Sequence, residues 1–482
     1  MSTVENLPGA LHELSLSAAA SAVRKGDVSS SKYAAALLEQ ARAHKELNAF
    51  ITLNEEAVLE AARTADLERE KGKSLGLLHG LPIAIKDSIN TRDLPTSVGT
   101  KVLSGNRPKK DAAAVATLRD AGAIVFGKSN LVEMSSGLTG FNAHYGQVKN
   151  PYDRNRITGG SSSGSAASVA ARIVPAALGG DTVGSIRVPA ALCGVVGFRP
   201  SMGRWPGDGA APLSPTFDTL GPIARTVEDC ALLDAVVTGG TWGGRAPVAG
   251  LKGLRFAYAP RQYLDMVDPE VETCFREALV ALGKAGAEII EIDLGEDFRT
   301  LAFQANWPVL AHETMPAVTA YLAEQKIAAT FDEIYEGLGE NLKSAWADSV
   351  VRGAPNAISD QVYDTSIRVQ RLALQKRFAT AYRSHELTGL LFPATPTIAP
   401  PISAHSQFTV AGHLVNRITI ARNAFPSSCA GLPGICIPIG LSVTGLPISM
   451  EIDGPHGSDA VLLAAVSRVA ATLGTIAGPG AV

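Results

Sequence analysis

Short apolar segments of strand length alternate with amphipathic segments through the first half of the chain. Residues 81–85 are apolar, residues 111–121 carry apolar side chains at helical spacing, and residues 123–126 are apolar again. A short apolar run between turn signals favours a buried strand, whereas a period of about 3.6 residues favours a helix with one buried face. This alternation predicts an α/β fold, in which helices cover the faces of a sheet.

The middle of the chain follows a different pattern. Residues 246–385 contain less glycine and more charge, and after one strand-like segment their apolar positions recur mostly at helical spacing. Strand-like apolar runs return at residues 390–393 and 435–439. We therefore predict one domain over all 482 residues, with a core of residues 60–245 and 386–482 and a mostly helical insertion or lid at 246–385.

Composition and charge argue against several classes of function. The net charge of −3 provides no electrostatic attraction to nucleic acid or to an anionic membrane. The five cysteines are scattered without a CxxC pair, which argues against a disulfide framework and a zinc site. Met1–Asn6 lack a basic start and an apolar stretch, and no apolar run approaches the roughly 20 residues of a membrane span. We expect a cytoplasmic protein with no cofactor, metal, nucleic-acid partner or membrane.

Two short strings match known motifs in the wrong context. Residues 122–129 match the P-loop pattern, which needs a flexible loop around the phosphates, but the four residues inside the match are Ala-Ile-Val-Phe and predict a strand. Residues 160–164 match the G-x-S-x-G elbow of α/β-hydrolases, but the preceding residues 153–158 are polar and not a buried strand. We therefore expect neither a nucleotide site nor a histidine-dependent hydrolase.

A lysine follows the first apolar run. Lys86 comes directly after residues 81–85. A lysine in such a run is costly unless it is paired or functional, and burial lowers its pKa until the neutral amine can act as a base. The alternative is a structural lysine whose ammonium group pairs with Asp87. Both interpretations are open from the sequence.

Two glycine-rich segments carry candidate hydroxyl groups. Residues 159–165 include Ser161 and lead into an alanine-rich helix, which favours a loop with inward-pointing amides over a flexible linker. Residues 181–185 place Ser185 among successive backbone amides that can stabilise a negative oxygen. Two serines and a desolvated lysine are the components of a serine hydrolase that needs no histidine.

These segments resemble the amidase signature family. The resemblance covers most of the chain and is carried by Gly159–Ser162, Gly180–Arg187, Gly194–Pro200, Gly80–Asp87, Gly127–Asn130 and Gly445–Pro447. It implies a large mixed β-sheet flanked by helices, with a helical inserted region over the active site. It also implies a Ser–cis-Ser–Lys triad.

The resemblance assigns a role to each matching residue. By position, Lys86 matches the catalytic lysine, Ser161 the bridging serine and Ser185 the nucleophile. The oxyanion hole falls on four successive backbone amides, those of Thr182, Val183, Gly184 and Ser185. The family commonly has glycine where Val183 stands, and a β-branched residue restricts the backbone at this point.

The resemblance also suggests a substrate class. Residues 142–146 and Arg204–Trp205 are similar to members that hydrolyse indoleacetamide and mandelamide. Met134, Ser135 and Trp205 are candidates to line an aromatic acyl pocket, although Trp205 is equally compatible with core packing. We expect cleavage of small aromatic or hydrophobic linear amides through a seryl acyl-enzyme, with release of a carboxylic acid and ammonia or an amine.

Two alternatives and the assembly state are left open. The first alternative is a hydrolase of carbamates (a urethanase) or of anilides (an aryl acylamidase), which uses the same triad. The second is the glutaminase A subunit of a tRNA-dependent amidotransferase, which works in a complex. The sequence is compatible with a homodimer and does not determine the oligomeric state.

Overall fold

A mixed sheet of eleven strands forms the centre of the molecule. The computed structural model describes residues 10–242, 250–404 and 406–480. The described residues form thirteen strands, of which all but β10 and β11 belong to this sheet. They are β1 (Phe50–Thr52), β2 (Pro82–Lys86), β3 (Ile124–Ser129), β4 (Ala176–Asp181), β5 (Val196–Arg199), β6 (Thr219–Ala224), β7 (Arg255–Tyr258), β8 (Glu288–Glu291), β9 (Gly389–Pro393), β10 (Gln407–Val410), β11 (His413–Asn416), β12 (Gly434–Leu441) and β13 (Pro447–Asp453).

The strand order across the large sheet is β1-β3-β2-β4-β6-β5-β12-β13-β9-β7-β8. The pairs β2–β3, β2–β4, β7–β8 and β7–β9 are parallel, and the other pairs are antiparallel. Strands β10 and β11 form a separate hairpin. The α/β class and the large mixed sheet are therefore confirmed.

Helices cover the sheet and build a further layer. They are α1 (Leu16–Lys25), α2 (Ser30–Ala43), α3 (Glu55–Glu70), α4 (Ala113–Asp120), α5 (Ser163–Ala170), α6 (Arg187–Leu192), α7 (Val227–Thr238), α8 (Pro260–Tyr263), α9 (Pro269–Lys284), α10 (Phe298–Glu324), α11 (Phe331–Glu336), α12 (Glu340–Ser349), α13 (Asp360–Thr365), α14 (Leu372–Ser384), α15 (Phe425–Ala430) and α16 (Asp459–Leu473). No described helix is long and apolar enough to cross a membrane.

The first three helices show why the sequence folds locally as it does. Ser15, Ser29 and Asn54 precede α1, α2 and α3, and each side chain accepts a hydrogen bond from a backbone N–H of the first turn. Such caps satisfy amides that have no partner inside the helix. The helix faces that carry Leu16, Leu37 and their apolar neighbours are buried in the main core against the sheet.

The middle segment contributes to both layers. Strands β7 and β8 extend the large sheet beyond β9, and most of the remaining described residues up to 384 are helical. Helices α10 to α12 pack on residues of the first half of the chain, including Val98 and Met134, in a separate apolar cluster around Phe331 and Trp346, whose rings stack. The predicted boundary at residues 245 and 246, like Met1–Asn6, lies outside the described residues.

Candidate active site

Lys86 is the last residue of β2 and is buried, with 1% of its surface exposed. Its Nζ donates a hydrogen bond to Ser161 Oγ at 2.7 Å. Burial lowers its pKa to about 7, even though the negative charges of Asp181 and Asp218 act in the opposite direction. Within the described part of the chain, no carboxylate forms an ion pair with it. Half of such amines are neutral at a pH equal to their pKa, so Lys86 can accept a proton near neutrality.

The interpretation of Lys86 as the partner of Asp87 is wrong. The Asp87 carboxylate lies 3.2 Å from the Nζ of Lys128 and accepts hydrogen bonds from the backbone and hydroxyl of Ser97. Lys128 also donates to Thr96 Oγ1 at 2.6 Å. The string that resembles a P-loop is therefore the strand β3, and its lysine belongs to a buried ion pair.

The serine-rich run forms the turn that precedes α5. The peptide bond between Gly160 and Ser161 is cis. Gly160 has no room for a side chain, since a Cβ would lie 2.8 Å from a methyl group of Val132 and 3.1 Å from the carbonyl oxygen of Gly137. This close packing holds Ser161, which is fully buried, against the end of Lys86.

Ser185 lies next to this turn, and a backbone hydrogen bond connects the two. The N–H of Ser162 donates to the carbonyl oxygen of Ser185 at 3.1 Å. The Ser185 side chain is 4% exposed, and its hydroxyl makes no hydrogen bond with the described residues. The structure thus brings Lys86 and Ser161 into direct contact, and it places Ser185 beside them without a side-chain hydrogen bond to Ser161.

A buried carboxylate shapes the loop that carries Ser185. Asp181 accepts hydrogen bonds from the backbone N–H of Gly184 at 2.7 Å and of Ile186 at 3.1 Å. Its oxygens also lie 3.1 Å from the guanidinium of Arg187 and 2.9 Å from that of Arg199. Burial alone would raise its pKa, but the two arginines hold the pKa of Asp181 well below its usual range.

Three of the four predicted oxyanion amides are available. The Gly184 N–H is already taken by Asp181, whereas no acceptor among the described residues binds the backbone N–H of Thr182, Val183 or Ser185. Gly184 has a φ of +119°, which a side chain would strain. Val183 is half-buried, and its φ lies outside the positive region. Val183 is therefore compatible with the backbone of this loop, because the positive φ falls on Gly184.

A cavity of about 420 Å³ opens beside Lys86 and Thr182, and neither Ser161 nor Ser185 is among its lining residues. Its walls include Lys86, Thr182, Ser135 and Trp205. Met134 does not line this cavity, because its side chain is buried in the apolar cluster of α10 to α12.

Trp205 is largely a core residue. It is 3% exposed and belongs to the main apolar core, and its indole N–H donates to the carboxylate of Asp234 at 2.9 Å. It therefore contributes one edge to the cavity while most of its surface packs against the core.

A buried carboxylate at this cavity, Asp218, was not predicted from the sequence. Asp218 accepts hydrogen bonds from Thr182 Oγ1 at 2.6 Å and from the backbone N–H groups of Leu213 at 2.7 Å and Ser214 at 2.9 Å. Burial raises the pKa of Asp218 to about 6. A single aspartate at the start of a strand has no motif around it, so only its spatial neighbours reveal it.

Within the described ranges, no cluster of three or more histidine, cysteine, aspartate or glutamate side chains is placed to hold a metal ion. The five cysteines, all of them described, carry free thiols. The groups that the described residues bring to this site are an amine, hydroxyls, carboxylates and backbone amides.

Comparison with known proteins places this chain in a family. A family model described as Amidase matches residues 33–463. Mandelamide hydrolase from Pseudomonas putida is 36% identical over 97% of this chain and 93% of its own length. Indoleacetamide hydrolase from Allorhizobium ampelinum is 34% identical over 93% of this chain and 96% of its own length. A crystal structure of an amidase superposes with a TM-score of 0.84 and 30% identity, and the match covers 96% of this chain and 100% of the other.

The fold and these similarities define a hydrolase of carbon–nitrogen bonds other than peptide bonds. The chain belongs to the amidase family, as its sequence motifs predicted.

Proposed function

We propose that this amidase hydrolyses small aromatic or hydrophobic linear amides through an acyl-enzyme on Ser185. The observation that carries the proposal is the buried contact of 2.7 Å between Lys86 Nζ and Ser161 Oγ, at an amine with no ion-pair partner among the described residues. A desolvated lysine that contacts a hydroxyl is the arrangement that a proton relay requires.

In the first half of the reaction, Ser185 attacks the amide carbonyl. Its proton passes to Ser161 as the proton of Ser161 moves to neutral Lys86. This step requires the Ser185 hydroxyl to come within hydrogen-bond reach of Ser161 when the substrate is bound, since such contacts often tighten only in the complex. The negative oxygen of the tetrahedral intermediate then lies against the free amides of Thr182, Val183 and Ser185.

In the second half, the proton returns. The ammonium of Lys86 passes it back through Ser161 to the leaving nitrogen, which departs as ammonia or an amine because a neutral amine is a far better leaving group than an amide anion. Water, deprotonated by the same relay, attacks the ester on Ser185 and releases the carboxylic acid. Atoms balance as amide plus water to acid plus amine.

The proposed substrate class rests on the cavity and on the relatives. Mandelamide and indoleacetamide are the substrates in the names of the two relatives compared above, and both carry an aromatic ring. The cavity walls combine the polar groups near Lys86 with Trp205, Leu213, Leu220 and Tyr321. The apolar part of this wall suits a compact aromatic substituent, and the polar part suits the amide group. Residues 246–385, apart from β7 and β8, would act as the lid over this core.

A substrate panel tests the proposal. The purified chain is assayed with mandelamide, indoleacetamide, an anilide, an aryl carbamate and glutamine, alongside Ser185→Ala and Ser168→Ala. Ser168 is a fully buried serine in α5 whose hydroxyl bonds only to the Ser165 carbonyl oxygen among the described groups, so it controls for removal of a buried hydroxyl.

Cleavage of an aromatic amide that Ser185→Ala abolishes and Ser168→Ala preserves supports the proposal. Preference for the carbamate or the anilide moves the substrate class to those compounds, with the same triad. Turnover of glutamine alone contradicts the proposal and favours the subunit of an amidotransferase.

A further inference from the structure

Asp218 links two segments that meet at the proposed site. Antiparallel pairing of β4 with β6 sets Asp181 opposite Thr219, so the residues just beyond, Thr182 and Asp218, lie side by side. The Asp218 carboxylate then takes three hydrogen bonds, from the Thr182 hydroxyl and from two backbone amides of the segment 213–214. One side chain thus ties the start of the loop that carries Ser185 to a wall of the cavity.

The charge of Asp218 is not neutralised as that of Asp181 is. Asp181 forms ion pairs with both Arg187 and Arg199, whereas no basic side chain of the described residues forms an ion pair with Asp218. Arg199 acts on it only from a longer distance. The Asp218 carboxylate therefore retains a net negative field inside a partly enclosed cavity.

Lys86 is exposed to that field. Both side chains line the cavity of about 420 Å³, and the charged groups that act on Lys86 are Asp181 and Asp218. Asp181 has the larger individual effect on Lys86, but two arginines offset its charge, so Asp218 is the carboxylate that acts on Lys86 without an ion-pair partner among the described residues. Two other carboxylates on the cavity, those of Asp208 and Glu324, are exposed at its rim and are screened by solvent.

We propose that Asp218 is a positioning residue of the hydrolysis, which holds Thr182 and its free backbone amide in place and stabilises the ammonium that forms on Lys86 when the nucleophile is deprotonated. The inference rests on the proposed function. In the relay, the proton that leaves Ser185 ends on Lys86 and creates a buried cation. A fixed carboxylate favours this state over the neutral amine, and Asp218 itself takes up no proton in the relay.

The loop that holds Asp218 is braced from the lid. Glu313 of α10 accepts hydrogen bonds from Ser214 Oγ at 2.5 Å and Thr216 Oγ1 at 2.6 Å. Tyr363 of α13 donates to the same carboxylate at 2.8 Å. Asp218 therefore belongs to a segment that is held by hydrogen bonds to its own carboxylate and to Glu313, as a positioning group requires.

The test compares pH profiles of kcat/KM for the full-length wild type, Asp218→Asn and Asp208→Asn on the amide that the wild type cleaves. Loss of the Asp218 charge is expected to move the acidic limb, set by Lys86, to lower pH by roughly one unit. The plateau is expected to fall about 10- to 100-fold, because a less stabilised ammonium makes a weaker base. Asp208→Asn is the control, because it removes one charge from the rim of the cavity and no hydrogen bond to Thr182. The acidic limb of its pH profile should stay at the wild-type position.

A second pair of variants separates charge from position. Thr182→Val removes the hydrogen bond to Asp218 but keeps the carboxylate. The plateau of kcat/KM should therefore fall, while the acidic limb of the pH profile stays at the wild-type position. Thr182→Ser keeps the hydroxyl and should restore the plateau. An unmoved limb in Asp218→Asn overturns the inference. Should that variant not fold, the Thr182 pair decides, and a wild-type plateau in Thr182→Val overturns it. The wild-type and Ser185→Ala rates test the proposed function separately.

Discussion

Two lysines at the ends of neighbouring strands show how the same residue in the same kind of place acquires different roles. Lys86 ends β2, and Lys128 lies one residue before the end of β3, which pairs with it in parallel. Both are buried, and burial lowers the pKa of both. Lys128 forms an ion pair with Asp87 at 3.2 Å, whereas Lys86 contacts the hydroxyl of Ser161.

The difference lies in the compensation of the charge. A buried lysine with a carboxylate partner stays charged and holds two segments together, and the loss of either partner leaves a costly charge behind. A buried lysine that contacts only a hydroxyl loses its proton easily and destabilises the protein when charged. Substitution of Lys86 should therefore lower activity and raise stability, whereas substitution of Lys128 should lower stability.

The largest expected effect is on catalysis. Lys86→Met removes the base while keeping an unbranched apolar side chain, and kcat/KM should fall by about 10³-fold or more. The measurement is hydrolysis of the best amide, with circular dichroism to show that the variant is folded. A folded Lys86→Met enzyme with near wild-type activity would contradict the proposed role of this residue.

The next effect is on folding. Lys128→Met leaves Asp87 buried without its cation, and the free energy of unfolding should fall by about 3–5 kcal/mol. Urea denaturation measures this loss. The double variant with Asp87→Leu removes both charges, so it should regain part of the lost stability, and a double variant as unstable as the single one would argue against the ion pair as the cause.

Lys86→Met should change stability in the opposite direction. The pKa of Lys86 falls from 10.5 to about 7 on folding, so the folded protein binds this proton more weakly than the unfolded chain does. The burial of charged Lys86 therefore lowers the free energy of unfolding by its full amount below pH 7. This destabilisation disappears as the pH rises to 10.5. The variant should thus be more stable by on the order of a few kcal/mol at or below neutral pH, with a gap that closes toward alkaline pH. Unfolding curves at several pH values measure the gap, and a gap independent of pH would refute this explanation.

The smallest effect is the pH dependence of the wild type. Since the proposed relay requires a neutral Lys86, log kcat/KM should fall by about one unit per pH unit below a limb near the pKa of about 7. Asp218, with a pKa of about 6, should become protonated within this range and add curvature at the acidic end. A profile that is flat from acidic to alkaline pH would exclude a lysine base.

Much of the fold could be predicted from local patterns. The segments predicted as strands at residues 81–85 and 435–439 are β2 and β12, and the run at 123–126 forms the first part of β3. Strand β4 was missed because its sequence, Ala-Ala-Leu-Gly-Gly-Asp, has low strand propensity and is held by neighbours on both sides.

By itself, the sequence determined the α/β class, the amidase motifs and the candidate residues, because hydrophobic period and glycine–serine spacing are local properties of the chain. Only the tertiary structure decided which charges meet. Residues 86 and 87 are neighbours in the sequence, but successive side chains near a strand point to opposite faces, so Asp87 turned to Lys128 and Lys86 to Ser161. In the same way, the contact between Thr182 and Asp218 depends on the register of β4 against β6, which joins positions that are far apart in the chain.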